Sequence, residues 1–294
     1  MIKELNVDLT PVIFKIELVA RLGASGMFTG EYSSRFKGRG LDFEGYREYM
    51  PEDDAQNIDW KASLRSDEVL VKIFKEERNI DVIYLFDVSA SMCFSSTDKL
   101  KCEYAAEMIS SIAYANISAG DSVGLLMFSD DIKAYLPPNQ GSAQYFKITQ
   151  FLKNPKNYDG LFSFDKAVDF LLGHYTTNSV IVLVSDFIGL PQGWEKKISA
   201  LAYKNEVIAM MIRDPRDDYM PPENMEVFVG DPFSPKQFLI NPVWLHDAYN
   251  GEAKVQKNKI KSELKKRGVD LFETSTDKQY ATAVRNFFFM RTRK

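Results

Sequence analysis

From residue 79 onward, short apolar runs alternate with amphipathic stretches. Such alternation marks a largely parallel sheet wrapped by helices. The runs predict strands over 80–86, 122–128, 179–185, 206–212 and 268–272. Three- and four-residue spacings predict helices over 98–118, 142–153, 164–173, 193–203, 249–267 and 277–290. Gly124–Phe128 and Ile132–Leu136 flank Ser129-Asp130-Asp131, which reads as a hairpin and places one antiparallel strand at a sheet edge. The alternation breaks over 214–248, where Pro215, Pro221, Pro222, Pro232, Pro235 and Pro242 crowd together around short strands at 226–229 and 236–240. That stretch reads as an insertion, a candidate companion of residues 24–78 in a small β-rich subdomain.

Upstream the pattern differs. Val12, Ile13, Ile16, Val19 and Ala20 recur at helical spacing behind Thr10-Pro11, a cap and first-turn pair, and predict a helix over 10–22. Residues 23–40 are rich in Gly and Ser and read as loop. Residues 41–67 carry dense charge and aromatics with no clean period, and 69–74 reads as a strand. Two regions follow: an N-terminal segment, 1–78, and an α/β domain, 79–294, carrying the Pro-rich insertion.

At 294 residues the chain can bury a sizeable core. A net charge of −4 gives no reason to expect a nucleic-acid partner. The two cysteines, Cys93 and Cys102, lack metal-type spacing, and a disulfide across the start of one helix is geometrically awkward, so two free thiols are expected. Two histidines, His174 and His246, argue against histidine-based zinc or triad chemistry. No apolar run approaches the ~18–20 residues that cross a bilayer, and the N-terminus lacks the regions of a signal peptide. A cytoplasmic protein without a membrane span is expected.

The candidate chemistry lies at strand ends. Asp87-x-Ser89-x-Ser91 follows the apolar run Val82–Phe86, so one carboxylate and two hydroxyls leave a buried strand together. Hard oxygen donors of this kind suit Mg²⁺, which keeps several waters. No base or nucleophile accompanies them. A second apolar strand, Val180–Ser185, ends in Asp186.

These two strand ends resemble the metal-ion-dependent adhesion site (MIDAS) of von Willebrand factor A domains. The resemblance covers residues 79 to about 212 and resumes near 249. It implies a doubly wound, mostly parallel sheet with one antiparallel edge strand. It also implies a Mg²⁺ (or Mn²⁺ or Ca²⁺) held by Ser89 and Ser91, with Asp87 and Asp186 binding directly or through water and a partner's Asp or Glu completing the shell. Such domains add a threonine from a later loop. Here Phe162 stands at that register with Ser163 beside it, so a one-residue slip lets Ser163 serve. Without it the metal binds more weakly or the site stands empty. Upstream, Gly38-Arg39-Gly40-Leu41-Asp42-Phe43-Glu44-Gly45-Tyr46-Arg47-Glu48-Tyr49, Pro51-Glu52-Asp53-Asp54 and Asn57-Ile58-Asp59-Trp60-Lys61-Ala62 are similar to the signature of domain-of-unknown-function family 58, DUF58. That resemblance implies a partnership with MoxR-type AAA+ ATPases in assembling or activating client proteins. Many members carry N-terminal membrane helices, and this chain departs from them.

Plainer readings stand beside these. Asp87 and Ser91 can simply cap the following helix. Arg39, Arg47, Asp53, Asp54, Asp59, Trp60, Lys61 and Arg65 form either a solvated, internally paired surface or a docking surface, since Arg and Trp are favoured at binding hot spots. Gly38-x-Gly40 lacks the Lys-Ser/Thr and the helix of a phosphate loop. Asp214-Pro215-Arg216-Asp217-Asp218 reads as a turn, and the lysines of 254–267 as a solvated helix face. The sequence therefore predicts a non-enzymatic, metal-dependent interaction module. The alternatives are a metal-assisted hydrolase on the same carboxylates, which two-metal chemistry makes hard with one ion's worth of ligands, and a metal-free scaffold.

Overall fold

The computed structural model describes residues 4–12, 41–50, 53, 55–66, 68–76, 81–175, 179–234 and 236–291. The chain divides into two compact units, Arg21–Asn79 and the remainder, Met1–Ala20 with Ile80–Lys294. In the smaller unit, β1 (Leu41–Glu48) pairs antiparallel with β2 (Leu70–Glu76), and α1 (Trp60–Ser66) lies between them in sequence. The aperiodic reading of 41–67 missed both β1 and α1. A register shift between Phe43 and Gly45 breaks the two-residue alternation that would have revealed the strand.

The larger unit is built on six strands: β3 (Asp81–Asp87), β4 (Ser122–Phe128), β5 (Ile132–Asn139), β6 (Ser179–Ser185), β7 (Glu206–Arg213) and β10 (Asp270–Ser275). Their spatial order is β10-β7-β6-β3-β4-β5. All neighbours run parallel except β5, which returns antiparallel along β4 at the edge. This is the doubly wound, mostly parallel sheet with an antiparallel edge that the sequence predicts. Central strands read as unbroken apolar runs because both faces are covered. Val82, Tyr84 and Phe86 face α2 (Lys101–Ser118), α3 (Ser142–Lys153) and α8 (Ala281–Arg291). Ile83 and Leu85 face α4 (Phe164–His174), α5 (Trp194–Lys204) and α7 (Pro242–Lys266).

Residues 214–248 belong to the larger unit and form α6 (Pro215–Asp218), the hairpin β8 (Val227–Gly230) and β9 (Gln237–Ile240), and the start of α7. α7 begins seven residues before the predicted helix. Pro242 stands at its first turn, where the missing N–H costs nothing, and the Asn241 side chain accepts from the Val243 amide. Most of the helix predicted over 10–22, and the loop over 23–40, lie outside the described residues. Residues 10–12 are not helical. The stretch 4–12 runs along α2 instead, its Asn6, Asp8 and Val12 amides donating to Glu103, Glu107 and Ser111, one stripe at four-residue spacing. Cys93 and Cys102 are free thiols. Among the described residues no helix is long and apolar enough to cross a membrane.

The central strand is keyed to α2 by a polar contact inside the core. Asn116 donates to the Tyr84 hydroxyl at 2.9 Å, with both side chains wholly buried. Tyr84→Phe strands that donor and is expected to lower the unfolding free energy by about 1–3 kcal/mol. Tyr84→Phe combined with Asn116→Leu removes both ends and should recover part of the loss. Urea unfolding followed by circular dichroism reads both variants.

Candidate functional site

Sheet topology decides where the chemistry collects. β3 comes first in the sheet, with β4 on one side and β6 on the other. The connections reverse direction between β3 and β6, and in open α/β sheets ligands bind beyond the carboxyl ends of strands at such a switch point. Asp87 ends β3, and Asp186 follows the last residue of β6. Because these strands are parallel neighbours, both carboxylates reach one rim.

Each carboxylate is oriented locally. Asp87 Oδ1 accepts the Ser89 amide at 2.9 Å, and Oδ2 accepts the Ser185 hydroxyl at 2.6 Å. The Ser185 hydroxyl in turn accepts the Phe187 amide at 2.9 Å. Asp186 Oδ1 accepts the Ile188 amide at 2.9 Å. Ser89 and Ser91 sit in a short 3-10 turn with their hydroxyl oxygens 3.3 Å apart. Neither Asp87 nor Ser91 caps α2, which starts ten residues past Ser91; the Asp87 side chain instead accepts the Ser89 amide at the start of the 3-10 turn. Phe187 holds a φ of 56°, a left-handed conformation uncommon for a buried aromatic, directly after Asp186.

The loop 158–163 closes one side. The Asp159 amide donates to Val88 O and the Ala90 amide to Gly160 O, both at 2.9 Å. Gly160 holds a φ of 116°, and a Cβ there would press on Asp130 and come within 2.7 Å of Ser129 Oγ. Phe162 stacks on Phe164 and tilts against Phe128, so it belongs to the apolar face. Ser163 is half-buried at the start of α4, its amide bound to Ser129 O at 2.8 Å. Among the described residues no hydrogen bond joins its hydroxyl to Asp87, Ser89, Ser91 or Asp186.

Sequence reasoning missed the residues that complete the rim. Lys101, the first residue of α2, donates at 2.7 Å to both Asp186 Oδ2 and Asp217 Oδ2. The exposed Phe94 ring stands over its ammonium at 5.7 Å. Asp214 receives the Ser96 amide at 2.7 Å and the Ser96 hydroxyl at 2.5 Å, and so fastens the loop before α2 to the end of β7. The stretch 214–218, read as a turn, does form a short helix, but two of its carboxylates also reach the rim. One signal was available. Three apolar strands end in aspartate or are directly followed by one, at 87, 186 and 214, and the sequence reading pairs only the first two.

The electrostatics are those of an undercompensated acidic set. Asp87, Ser89 and Asp186 are wholly buried, and Ser91 and Lys101 are 2% and 1% exposed. Burial, reinforced by the Asp186 charge, pushes the Asp87 carboxyl up to about 7 against the Ser185 and Ser89 hydrogen bonds. Burial pulls Lys101 down, but Asp186 and Asp217 together outweigh it and raise its pKa. Asp217 is raised, chiefly by burial. Asp214 is also buried, yet the donors from Ser96, Arg216 and Ser95 hold it below the usual carboxylate value.

Among the described residues no three His, Cys, Asp or Glu side chains form a metal-ligand cluster. The donor set here is instead half hydroxyl. Two neighbouring serine oxygens beside two carboxylates, in a buried set short of positive charge, fit a hard divalent cation in donor type and in sign. All four side chains are buried in this arrangement.

The second candidate surface lies in the smaller unit and is largely paired within itself. Arg47 forms a two-pronged contact with Asp53 at 2.5 and 2.7 Å. Asp59 caps α1 through the Lys61 and Ala62 amides and meets Tyr46 and Lys72. Trp60 is 63% exposed, and Lys61 and Arg65 are exposed. Arg39 and Asp54 lie outside the described residues.

The family profile described as "Protein of unknown function DUF58" matches residues 45–259. The chain belongs to the DUF58 family. This DUF58 chain is 24% identical over 282 residues to Uncharacterized protein Mb1516 of Mycobacterium bovis and to Uncharacterized protein Rv1480 of Mycobacterium tuberculosis, an overlap spanning 95% of this chain and 88% of each relative. Among solved structures it is similar to the conserved hypothetical protein BatB from Bacteroides thetaiotaomicron, at TM-score 0.47 and 15% identity, over 73% of this chain and all of that one (100%). A von Willebrand factor type A protein from Catenulispora acidiphila gives TM-score 0.37 and 10% identity over 75% of this chain and 43% of that one.

The Asp87 carboxyl sets a pH dependence. Unfolded, it ionises near 3.8; folded and without metal, it keeps its proton to about 7. Between those limits the folded state binds more protons, so this group's stabilisation is complete at the acid end and is lost as pH rises through 7. Asp87→Asn is expected to flatten that slope and to stabilise the protein in chelator at about pH 8 by up to a few kcal/mol, at about 1.4 kcal/mol per pKa unit. Thermal unfolding of both proteins between about pH 4 and pH 8 reads the difference.

Proposed function

We propose that this DUF58 chain is a non-enzymatic interaction module that grips a partner's Asp or Glu through a divalent cation at the rim, and that it acts beside a MoxR-type AAA+ ATPase in assembling or activating client proteins. The observation that carries this reading is the gathering of Asp87, Ser89, Ser91 and Asp186 at the carboxyl ends of two adjacent parallel strands. The Ser89 and Ser91 hydroxyls would hold the ion, Mg²⁺ or in its place Mn²⁺ or Ca²⁺. Asp87 and Asp186, already aimed by Ser185 and by the Ile188 amide, would lie beside it. When bound, the ion supplies the positive charge that a partner's carboxylate seeks. The four side chains are buried, so a partner's carboxylate would reach the ion only once the rim opens. The exposed Trp60 indole, on a helix capped by Asp59, offers a second contact of the kind favoured at hot spots.

A metal-free scaffold is the second reading, and Lys101 favours it, because a tethered ammonium already sits on Asp186. Chelation separates the two. The immobilised chain is expected to retain a MoxR-type AAA+ ATPase in millimolar Mg²⁺. Chelator, Asp87→Ala or Ser89→Ala should each weaken retention about tenfold or more, equivalent to about 1.4 kcal/mol. Retention indifferent to all three would sink metal-mediated gripping and leave the scaffold.

A further inference from the structure

Lys101 is out of place by local rules. It opens α2, where the helix dipole disfavours a cation. It is almost wholly buried, where an ammonium needs compensating charge. Two carboxylates far apart in sequence meet it, Asp186 after β6 and Asp217 on α6, each at 2.7 Å. They are not equivalent. Asp186 is wholly buried and adjoins Asp87. The Asp217 side chain is 9% exposed and uses the same oxygen to accept the Asp214 amide at 2.9 Å. Asp186 and Asp217 meet the ammonium and Asp87 lies beside Asp186, so with all three carboxyls ionised the group carries a formal excess of two negative charges. One divalent cation cancels that excess, but it and Lys101 then contend for Asp186.

We propose that Lys101 is a tethered competitor for the rim's divalent cation: its ammonium holds Asp186 while the ion is absent and withdraws onto Asp217 when the ion binds. This rests on the metal-mediated reading given above and adds its regulation. Competition sets a weak resting affinity, so the rim loads fully only when a partner's carboxylate adds to the ion's binding energy. Withdrawal also carries occupancy into α6. From there it passes to α7, where the Tyr249 hydroxyl donates to Arg216 O at 2.8 Å.

Mn²⁺ binding to the full chain, followed by the electron paramagnetic resonance signal of the free ion, tests this directly. Lys101→Met should bind Mn²⁺ about tenfold more tightly than wild type, since a unit charge close to the ion is removed. Asp217→Asn should weaken binding several-fold in the wild-type background and markedly less in the Lys101→Met background. A carboxylate that acted only through its own charge would weaken binding equally in both. Lys101→Gln keeps N–H donors without the charge and gives the same reading should Lys101→Met not fold. Equal Mn²⁺ affinity in wild type and both Lys101 variants would overturn the competition while leaving metal-mediated gripping intact. An equal Asp217→Asn penalty in both backgrounds would overturn the withdrawal. No binding by any of these proteins at millimolar Mn²⁺ would overturn both this inference and the reading beneath it.

Discussion

One buried ammonium shared by two carboxylates ties the rim together. Lys101 joins the start of α2, the end of β6 and the first turn after β7 through two contacts. Removing one partner of a buried ion pair commonly costs about 3–5 kcal/mol, because the charge left behind has no water to turn to. The cost arises from the sheet itself. Parallel strands all point their carboxyl ends the same way, so acids that follow β3, β6 and β7 must share a neighbourhood. An antiparallel sheet would have sent alternate ends to opposite edges.

Asp214 provides the complementary clamp. It binds the loop before α2 through Ser95 and Ser96 and reaches Thr276 beyond β10 at 3.3 Å. The segment between Phe94 and Lys101 is therefore fixed at two places, by Asp214 within it and by Lys101 at its end. On the opposite side, backbone hydrogen bonds seat Gly160 against Ala90, at a φ that favours glycine and with no room for a side chain. Phe187, directly after Asp186, holds a left-handed conformation. Backbone strain of this kind persists where surrounding contacts over-determine it, and here those contacts are the Ser185 and Asp186 side chains that position the carboxylates.

Much of this was legible in the sequence because the signals were local and periodic. Each central strand is an unbroken apolar run, the hairpin is marked by Ser129-Asp130-Asp131, and Asp87 and Asp186 each terminate such a run. What escaped was set by other forces. β1 lost its alternation to a register shift at Gly45, and the first two turns of α7 hid behind Pro242, which breaks a helix everywhere but at its start. Lys101 could not be read locally because what makes it reasonable lies 85 and 116 residues away, in Asp186 and Asp217. Asp217 was masked by its own local logic, since Asp-Pro-x-Asp is a sufficient helix start without any distant partner.

A carboxyl raised to about 7 is the usual mark of a general base, and Asp87 invites that reading. Its neighbours favour another. Both of its oxygens already accept hydrogen bonds, and the Ser185 hydroxyl that donates to one of them is itself held by the Phe187 amide. A base needs a substrate proton within reach, whereas a cation site needs an unmet charge, and the unmet charge is what raises Asp87: burial first, then Asp186. A bound proton relieves one unit of that excess. On the metal-mediated reading proposed above, a divalent ion would relieve two, and above pH 7, where the proton leaves Asp87, the two serine hydroxyls beside it would hold that ion.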